Sequence, residues 1–544
     1  MFQFLCQPWP RGRAPTPARA RFAPPLRRDH RRWNRTSRSG LEKIAGPPQA
    51  APLSVPERPR RFRLSADVAL APTTPPSDAV KRFLPWLVAV AFFMESLDTT
   101  ILNTATPVIS RALGVGVLSM KAVLASYALS LAVFIPISGW MADRFGTRRV
   151  FAAAIGLFTL GSLLCGLSSD LHVLVSCRIL QGFGGAMMAP VGRLTLVRTF
   201  PKSELVQAMS FVAIPGLIGP MLGPLAGGLI VGYFHWRAIF FLNLPIGLAG
   251  LVLVYLHLPD YRGASRPPLD LLGLILFGSG IGLLSYVLEV FGEHTLRPPE
   301  IVGLLALSLV LILGYGLHAL RSAHPLLQLG LFRIRTFAAA VGGSFITRLG
   351  IGGVPFLLPL LYQLGLGLSP IQSGLLIMPQ ALGAMSIKAL MPTVLDRFGY
   401  RGVLISNTVV MGGLLMLFAT IRPGTPIWLI VVQAFAYGAL TSTQYTSMNT
   451  LVYADVPSEN ASNASSIAST LQQLSMSFGV AAAGLTTVFF VPGAVGGAPG
   501  AVTQGLHHAF LALGGFTILS TVVFSRLKTG DGASETRQKD IHLG

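Results

Sequence analysis

Fourteen apolar segments follow one another along the chain, separated by short polar stretches. Each is close to the length of about 20 residues that an α-helix needs to cross a bilayer. This pattern predicts an all-α, polytopic membrane protein with fourteen spans, numbered one to fourteen in chain order. The segments lie at 83–107, 119–141, 149–168, 171–194, 207–232, 237–258, 269–290, 300–320, 336–362, 372–393, 402–421, 426–450, 464–490 and 506–526.

A short charged turn occurs twice in this pattern. Residues 139–149 read Gly-Trp-Met-Ala-Asp-Arg-Phe-Gly-Thr-Arg-Arg after span two, and a weaker copy at 396–401 follows span ten. The copies are eight spans apart, which is six plus two, so the repeat predicts two related halves of six spans and an inserted pair. The halves are placed at 83–258 and 336–526, and the pair at 269–320. Two-halved bundles of this kind are usually transporters.

Composition agrees with a membrane protein. Hydrophobic residues make up 52% of the 544 and charged residues 12%, which is about half the charged fraction of a typical soluble domain. The three cysteines show no spacing typical of a disulfide framework or a metal site. No Gly-rich phosphate-binding loop of the ATPase type is present, so ATP coupling is not expected.

More than half of the net charge of +21 lies before the first span. Residues 1–82 hold 17 Lys and Arg against 5 Asp and Glu, and they are rich in proline. Such a segment buries too little apolar surface to fold, so residues 1–80 are predicted to be a disordered basic tail. A start assigned too far upstream, with the protein beginning nearer 65–80, is the alternative. Nucleic-acid binding is disfavoured because no binding motif accompanies the arginines.

Basic residues in the loops predict the orientation of the spans. With a cytoplasmic N-terminus, the inner loops carry twelve Lys or Arg residues and the outer loops five. This bias follows the positive-inside rule. We therefore expect a multi-pass protein of the cell inner membrane with both termini in the cytoplasm, including a C-terminal tail at 527–544.

Four motifs carry a resemblance to a known family. They are the turn at 139–149, the Arg-x-x-Gln-Gly pattern within 178–190 of span four, the Gly/Pro-rich run 219–228 of span five, and the Leu-Asp-Thr-Thr run of span one within 97–107. Together they resemble the EmrB/QacA-type, 14-span drug:proton antiporters of the major facilitator superfamily, and MdtD-like members most closely. The resemblance covers about 83–526.

The resemblance implies a major facilitator fold and proton-coupled efflux. A cytoplasmic substrate would be exchanged for an external proton by alternating access, with the proton gradient in place of any cofactor. The implied partners are the lipid bilayer, protons and a small-molecule substrate, with a periplasmic adaptor as a further candidate, otherwise a monomer, and no nucleic acid. An enzyme or sensor is disfavoured, because the loops show no nucleophile–base pair and no metal cluster.

Two acids in span one are the candidate proton carriers. Glu95 and Asp98 are three residues apart, so they share a helix face. With entry near Phe83, they lie about 18 and 22 Å deep at 1.5 Å per residue, within a hydrocarbon core about 30 Å thick. A low dielectric disfavours the ionised form, and an acid at this depth is by default functional. Arg178 of span four needs a partner there, so Asp98, Glu95 and Arg178 are predicted to couple protons; a permanent salt bridge is the alternative.

Two motif segments are predicted to belong to the parts of the protein that move during transport. The glycines from Gly216 to Gly227 fall three and four apart, with Gly228 adjacent to the last, and predict one smooth face that a neighbouring helix approaches closely. Prolines bend the same helix. This antiporter helix contains Gly219, Pro220, Gly223, Pro224 and Gly227. The turn after span two is predicted to be an inner gate loop, with plain topological anchoring as the alternative. Its residues are Gly139, Asp143, Arg144, Gly146 and Arg148.

Polar and basic residues within the spans are candidate liners of a substrate cavity. No acid lies deep in the second half, so two unpaired bases there would favour a small organic anion or a metal chelate over the lipophilic cations that many relatives export. Hydrogen bonding between helices or snorkelling to the interface is the alternative for each residue. The predicted cavity residues are Gln181, Arg348, Lys388, Gln444, Asn449 and Gln472.

Overall fold

The computed structural model describes residues 78–263, 268–290, 297–490 and 499–532. The predicted basic tail lies outside these residues except for its last three, as does most of the predicted C-terminal tail. In the described part every regular element is helical. The α-helices are α1 (Asp78–Ala112), α2 (Lys121–Phe145), α3 (Thr147–Leu167), α4 (Leu171–Thr199), α5 (Lys202–Tyr233), α6 (Ala238–Phe241), α7 (Asn243–His257), α8 (Leu271–Val290), α9 (Pro298–Arg321), α10 (Arg335–Ile351), α11 (Val354–Leu360), α12 (Pro370–Lys388), α13 (Met391–Phe418), α14 (Ile427–Leu451), α15 (Ala461–Phe490), α16 (Pro499–Leu519) and α17 (Thr521–Phe524).

Each of the fourteen predicted spans coincides with a helix or a pair of consecutive helices. Twelve segments of the described chain are long and apolar enough to cross a membrane. The two remaining helices, α12 and α14, are 19 and 25 residues long, and each contains glutamine and serine among its apolar residues. The all-helical, polytopic prediction is thus confirmed, and twelve of the fourteen spans meet both the length and the hydropathy criterion.

The repeated turn contains a glycine with positive φ in both halves. Gly146 ends α2 with φ 98° and ψ 143°, and Gly399 interrupts α13 with φ 66° and ψ 162°. Both lie in a region that residues with a side chain rarely adopt. The weaker copy does not directly follow a continuous span ten, because α12 ends at Lys388 and the helix resumes at Met391 before the glycine.

The helices form two groups with an additional pair. Helices α1 to α7 pack among themselves, as do α10 to α17, and α8 packs against α9. Between the groups, α2 packs on α15 and α5 packs on α12, while α8 contacts α2 and α15. The sides of the bundle are named from the predicted orientation: α1 begins at the inner side and ends at the outer side.

The two halves share one hydrophobic core toward the outer side and have separate cores toward the inner side. The shared core joins Ile101 and Leu102 of α1 to Phe356 of α11. Two hydrogen bonds cross between the halves there, from Gln363 Nε2 to the Thr104 carbonyl (2.9 Å) and from Ser477 Oγ to the Ala125 carbonyl (3.0 Å). At the inner side, one core belongs to α1–α7. The other belongs to the second half and the inserted pair, with Ala132 of α2 at its edge. The bundle is therefore closed at its outer side.

Close packing of α1 on α5 depends on glycine. An added Cβ at Gly223 would overlap Thr100 Oγ1, and one at Gly227 would overlap the Ile101 carbonyl oxygen. Gly219 is nearly as tight, with Ser96 Cβ 2.7 Å away. The single smooth face predicted for this helix is only partly right. Gly216 has open space and lines a cavity, and Gly228 faces the Pro370 carbonyl of the second half.

We expect Gly227→Val to destabilise the protein, because the added side chain forces α1 and α5 apart. Overpacking of this kind costs about 1–3 kcal/mol, so the thermal unfolding midpoint of the purified protein in detergent should fall by several degrees. Gly413→Val is the matched control, since an added Cβ at Gly413 meets no atom within 4 Å. Equal midpoints for the two variants would contradict this account of the α1–α5 contact.

Candidate functional site

The centre of the first half contains a buried ion pair. Arg178 Nη1 of α4 donates to Asp98 Oδ2 of α1 at 2.6 Å, and both residues are 1% exposed. Gln181 Nε2 donates to the other carboxylate oxygen at 2.9 Å, and Asn243 Nδ2 of α7 donates to the same oxygen at 3.1 Å. Asp98 thus accepts three hydrogen bonds from two other helices. Of the two acids that could pair with Arg178, Asp98 is the one in contact.

Neutral groups complete the surroundings of this pair. Arg178 Nη1 also donates to Gln181 Oε1 at 2.7 Å, and its Cζ lies 4.2 Å from the centroid of the Tyr127 ring. Asn243 is held in turn by Ser162 Oγ at 3.0 Å. Asn243 and Tyr127 received no role from the sequence. The one feature of the sequence that points to a role for Asn243 is that its polar amide lies within an otherwise apolar span.

Glycines in α4 allow the arginine to reach this position. An added Cβ at Gly182 would lie 2.7 Å from Ser130 Cβ of α2, and one at Gly184 would lie 2.6 Å from the Phe158 backbone nitrogen of α3. Small residues let helices approach closely within a membrane. Arg178, one turn before Gly182, is consequently drawn in between α1, α2 and α3 and is hidden from lipid.

A cavity of about 510 Å³ lies between the two halves beside the ion pair. The first half contributes three charged residues, Glu95, Arg178 and Arg193, together with Tyr127. The second half contributes neutral groups: Phe356 of α11, and Gln472, Gln473 and Met476 of α15. Glu95 is part-buried and Arg193 is exposed. Of the two span-one acids, Glu95 therefore faces the cavity, whereas Asp98 lies behind its wall.

Of the six residues predicted to line the cavity, Gln472 does so. Gln181 instead belongs to the Asp98 network. Gln444 is fully buried in the second half, where its Oε1 accepts from Asn407 at 2.8 Å and its Nε2 donates to Thr408 Oγ1 at 2.9 Å. These two amides are turned toward neighbouring helices because buried amides need hydrogen-bond partners.

The two bases of the second half do not line this cavity either. Arg348 is 1% exposed; its Nε donates to Ser344 Oγ at 2.9 Å and its Nη2 to Asn449 Oδ1 at 3.3 Å. Its guanidinium also lies over the Tyr445 ring, 3.8 Å from the centroid. The prediction that Arg348 faces the cavity unpaired is wrong, because neutral oxygens and an aromatic face supply its partners. Lys388 is exposed at the inner end of α12.

The predicted gate loop is fixed to its own half. Asp143 Oδ1 accepts from Arg198 Nη2 of α4 at 2.6 Å. Gly146 leaves no room for a side chain because Asp260 lies against it, and Asp260 Oδ1 accepts from the Arg148 backbone N–H at 3.3 Å. The side chains of Arg144 and Arg148 are exposed, as is Gly139. The loop therefore joins α2 to α4 and to the segment after α7.

We expect Arg178→Gln to destabilise the protein strongly, because it leaves the Asp98 carboxylate buried without its counter-charge. Breaking a buried pair on one side costs about 3–5 kcal/mol. The double variant Asp98→Asn/Arg178→Gln removes both charges and should recover part of the loss in the thermal unfolding midpoint. Lys81→Gln is the control, since it breaks a partly exposed pair with Glu204 at 3.1 Å, a kind worth about 1 kcal/mol or less. A double variant no more stable than Arg178→Gln would contradict charge pairing as the cause.

Comparison with known proteins agrees with this architecture. Residues 88–480 match the model of the Major Facilitator Superfamily. A protein of Escherichia coli O7:K1 that is named for multidrug resistance, MdtD, is 42% identical over 446 residues, which is 82% of this chain and 94% of that protein.

Among solved structures, an inward-facing, occupied bacterial homologue of the human lysosomal transporter Spinster aligns over 82% of this chain and 97% of its own. Its TM-score is 0.60 at 13% identity. A D-xylose–proton symporter aligns over 83% of this chain and 99% of its own, with a TM-score of 0.60 at 15% identity. These likenesses describe the fold. The chain belongs to the Major Facilitator Superfamily and is a multi-pass membrane transporter, not an enzyme.

Proposed function

We propose that this protein is a proton-coupled exporter of the multidrug type, located in the cell inner membrane with both termini in the cytoplasm. The observation that carries the proposal is the buried Asp98–Arg178 pair beside a cavity between the halves. The relatives named for multidrug resistance support the substrate range. The arginine-rich inner loops support the orientation.

Asp98 is the proposed proton carrier. A proton on Asp98 removes the charge that attracts Arg178 and one of the acceptor sites that Gln181 and Asn243 share. Since those donors lie on α4 and α7, protonation loosens α1 from two helices at once. An uncompensated Arg178 in a low-dielectric site then favours a rearranged bundle. Glu95 faces the cavity one turn away and is the second proposed titrating group.

The way the halves are joined supports alternating access as the proposed mode of transport. The outer side is closed by the shared core and by hydrogen bonds between the halves. A substrate therefore enters the cavity from the cytoplasm in this conformation, and opening the outer side requires these contacts to separate. Rocking of one half against the other about a midplane site is the usual mode of such folds. The proton gradient supplies the energy, and lipid, protons and substrate are the proposed partners of a monomer.

The organic-anion alternative depended on Arg348 and Lys388. Arg348 is enclosed by Ser344, Asn449 and Tyr445, and Lys388 is exposed away from the cavity. These positions give an anion no partner from the second half within the cavity. The charged residues that do line it come from the first half and include both signs.

We expect Asp98→Asn to abolish proton release when substrate is added to the purified protein. The measurement uses a pH-sensitive dye in weakly buffered detergent solution and a panel of cationic, anionic and zwitterionic aromatic probes. The variant Glu95→Gln distinguishes the roles of the two acids. If proton release is retained in Glu95→Gln but lost in Asp98→Asn, Asp98 is the proton carrier. Release that persists in both variants would remove span one from the coupling mechanism.

We expect a cross-link across the outer side to stop transport. Ala125→Cys and Ser477→Cys place thiols where the Ser477 hydroxyl contacts the Ala125 carbonyl, in a background whose own cysteines are replaced. Joining them with a short, cleavable bifunctional thiol reagent should abolish probe uptake into inside-out proteoliposomes, and reduction should restore it. Each single-cysteine variant treated with the reagent is the control. Continued transport in the cross-linked double variant would contradict opening at this contact.

A further inference from the structure

Two charged residues of the cavity stand outside the Asp98 network. Glu95 of α1 and Arg193 of α4 both line the cavity. Among the ion pairs and side-chain hydrogen bonds of the described residues, none joins them or uses either of them. A charged group within the spans of a membrane protein normally faces a partner or a water-filled space. Here both face the space that a substrate would occupy.

Their relative depth follows from an aromatic contact. The Arg193 guanidinium lies over the Phe92 ring, with Cζ 5.2 Å from the centroid. Phe92 precedes Glu95 by three residues, so it lies on the same face of α1 and about 5 Å nearer the inner side. The cavity therefore has its carboxylate deeper and its guanidinium nearer the inner entrance, separated by about one helical turn.

The charges of the cavity sum to zero when Glu95 is ionised. Arg178 is neutralised by Asp98 behind the wall, and Glu95 offsets Arg193. The other polar groups of the wall are neutral, chiefly the amides of Gln472 and Gln473. A substrate with a single charge would pair with one of Glu95 and Arg193 and leave the other uncompensated next to an apolar body. An uncompensated charge in a low dielectric is costly, whereas a zwitterion leaves no charge unpaired.

We propose that this exporter selects amphipathic zwitterions, which bind with their ammonium group at Glu95 and their carboxylate at Arg193. The proposal rests on the proposed exporter function and specifies its substrate class. The rings of Phe92, Tyr127 and Phe356 offer an apolar, π-rich wall for the body of such a molecule.

At this site, protonation of Glu95 weakens substrate binding, which is the effect that exchange of a proton for the substrate requires. The charged and titratable groups around Glu95 are Asp98 on α1, behind the wall, Tyr127 on α2, and Arg178 and Arg193 on α4, while the facing α15 contributes the neutral Gln472 and Gln473. A proton on Glu95 removes the partner of the substrate ammonium group and so weakens binding. For a simple anion held by Arg193, the same proton would remove a repelling charge and strengthen binding, which is the sign expected of co-transport.

The test compares three probes with one aromatic body: 4-(aminomethyl)benzoate, its methyl ester and its N-acetyl derivative. At pH 7.5 they are a zwitterion, a cation and an anion. Affinities are measured by isothermal titration calorimetry on the full-length protein in detergent. We expect the zwitterion to bind at least about tenfold more tightly than either derivative. An ester or N-acetyl compound that binds as tightly, or no binding of the zwitterion, would overturn the proposal.

Two variants assign the ends of the substrate. Glu95→Gln should reduce the zwitterion to the affinity of its N-acetyl derivative, because the amine no longer has a partner. Arg193→Gln should reduce the zwitterion to the affinity of its methyl ester. Glu459→Gln and Arg321→Gln are matched controls at exposed positions and should change none of the affinities. Equal losses for all three probes in either variant would indicate a structural role and would overturn the assignment.

Failure of this inference and failure of the exporter function give different results. If the methyl ester is preferred and its binding still releases a proton that Asp98→Asn abolishes, the zwitterion inference fails and the exporter stands. If the zwitterion is preferred but no probe releases protons, the binding site stands and the coupling fails.

Discussion

The buried Asp98–Arg178 pair constrains the whole first half. Removing two charges from water costs several kcal/mol for each ion, and only close, hydrogen-bonded contact offsets that cost. Asp98 is therefore surrounded by donors from α4 and α7, at 2.6 to 3.1 Å. Three helices must keep their register for the pair to exist. A change in the charge of the Asp98 carboxylate consequently affects the packing of α1, α4 and α7.

Glycine makes this register attainable. Gly223 and Gly227 bring α5 against α1, and Gly182 and Gly184 bring α4 against α2 and α3. Without these close approaches, the Arg178 side chain could not reach Asp98 while remaining hidden from lipid. The small residues of the motifs allow the close helix packing that brings the charged residues of the motifs together.

The sequence predicted the spans well because hydropathy and length are set by the bilayer itself. It also limited the partners of Arg178 to two acids, since so few acids lie deep in the spans. It did not predict where the polar side chains point. Arg348 and Gln444 turn toward Ser344 and Asn407, because a side chain's direction depends on helix rotation and on neighbours far away in the chain. Asn243 was missed for the same reason: its role appears only when α7 lies beside α1.

The charges of the cavity are distributed unequally between the halves. The first half supplies Glu95, Arg178 and Arg193, whereas α15 supplies neutral groups to the wall, namely Ser469, Gln472, Gln473, Met476 and Val480. A proton or an ionic substrate therefore acts directly on the first half. Its effect reaches the second half through the contact of α2 with α15 and the contact of α5 with α12. In the α5–α12 contact, Gly228 and Gly374 allow the two backbones to approach closely. Those contacts cluster toward the outer side, which is closed here. A charge change near the centre of the bundle thus acts on the elements whose separation would open the opposite face.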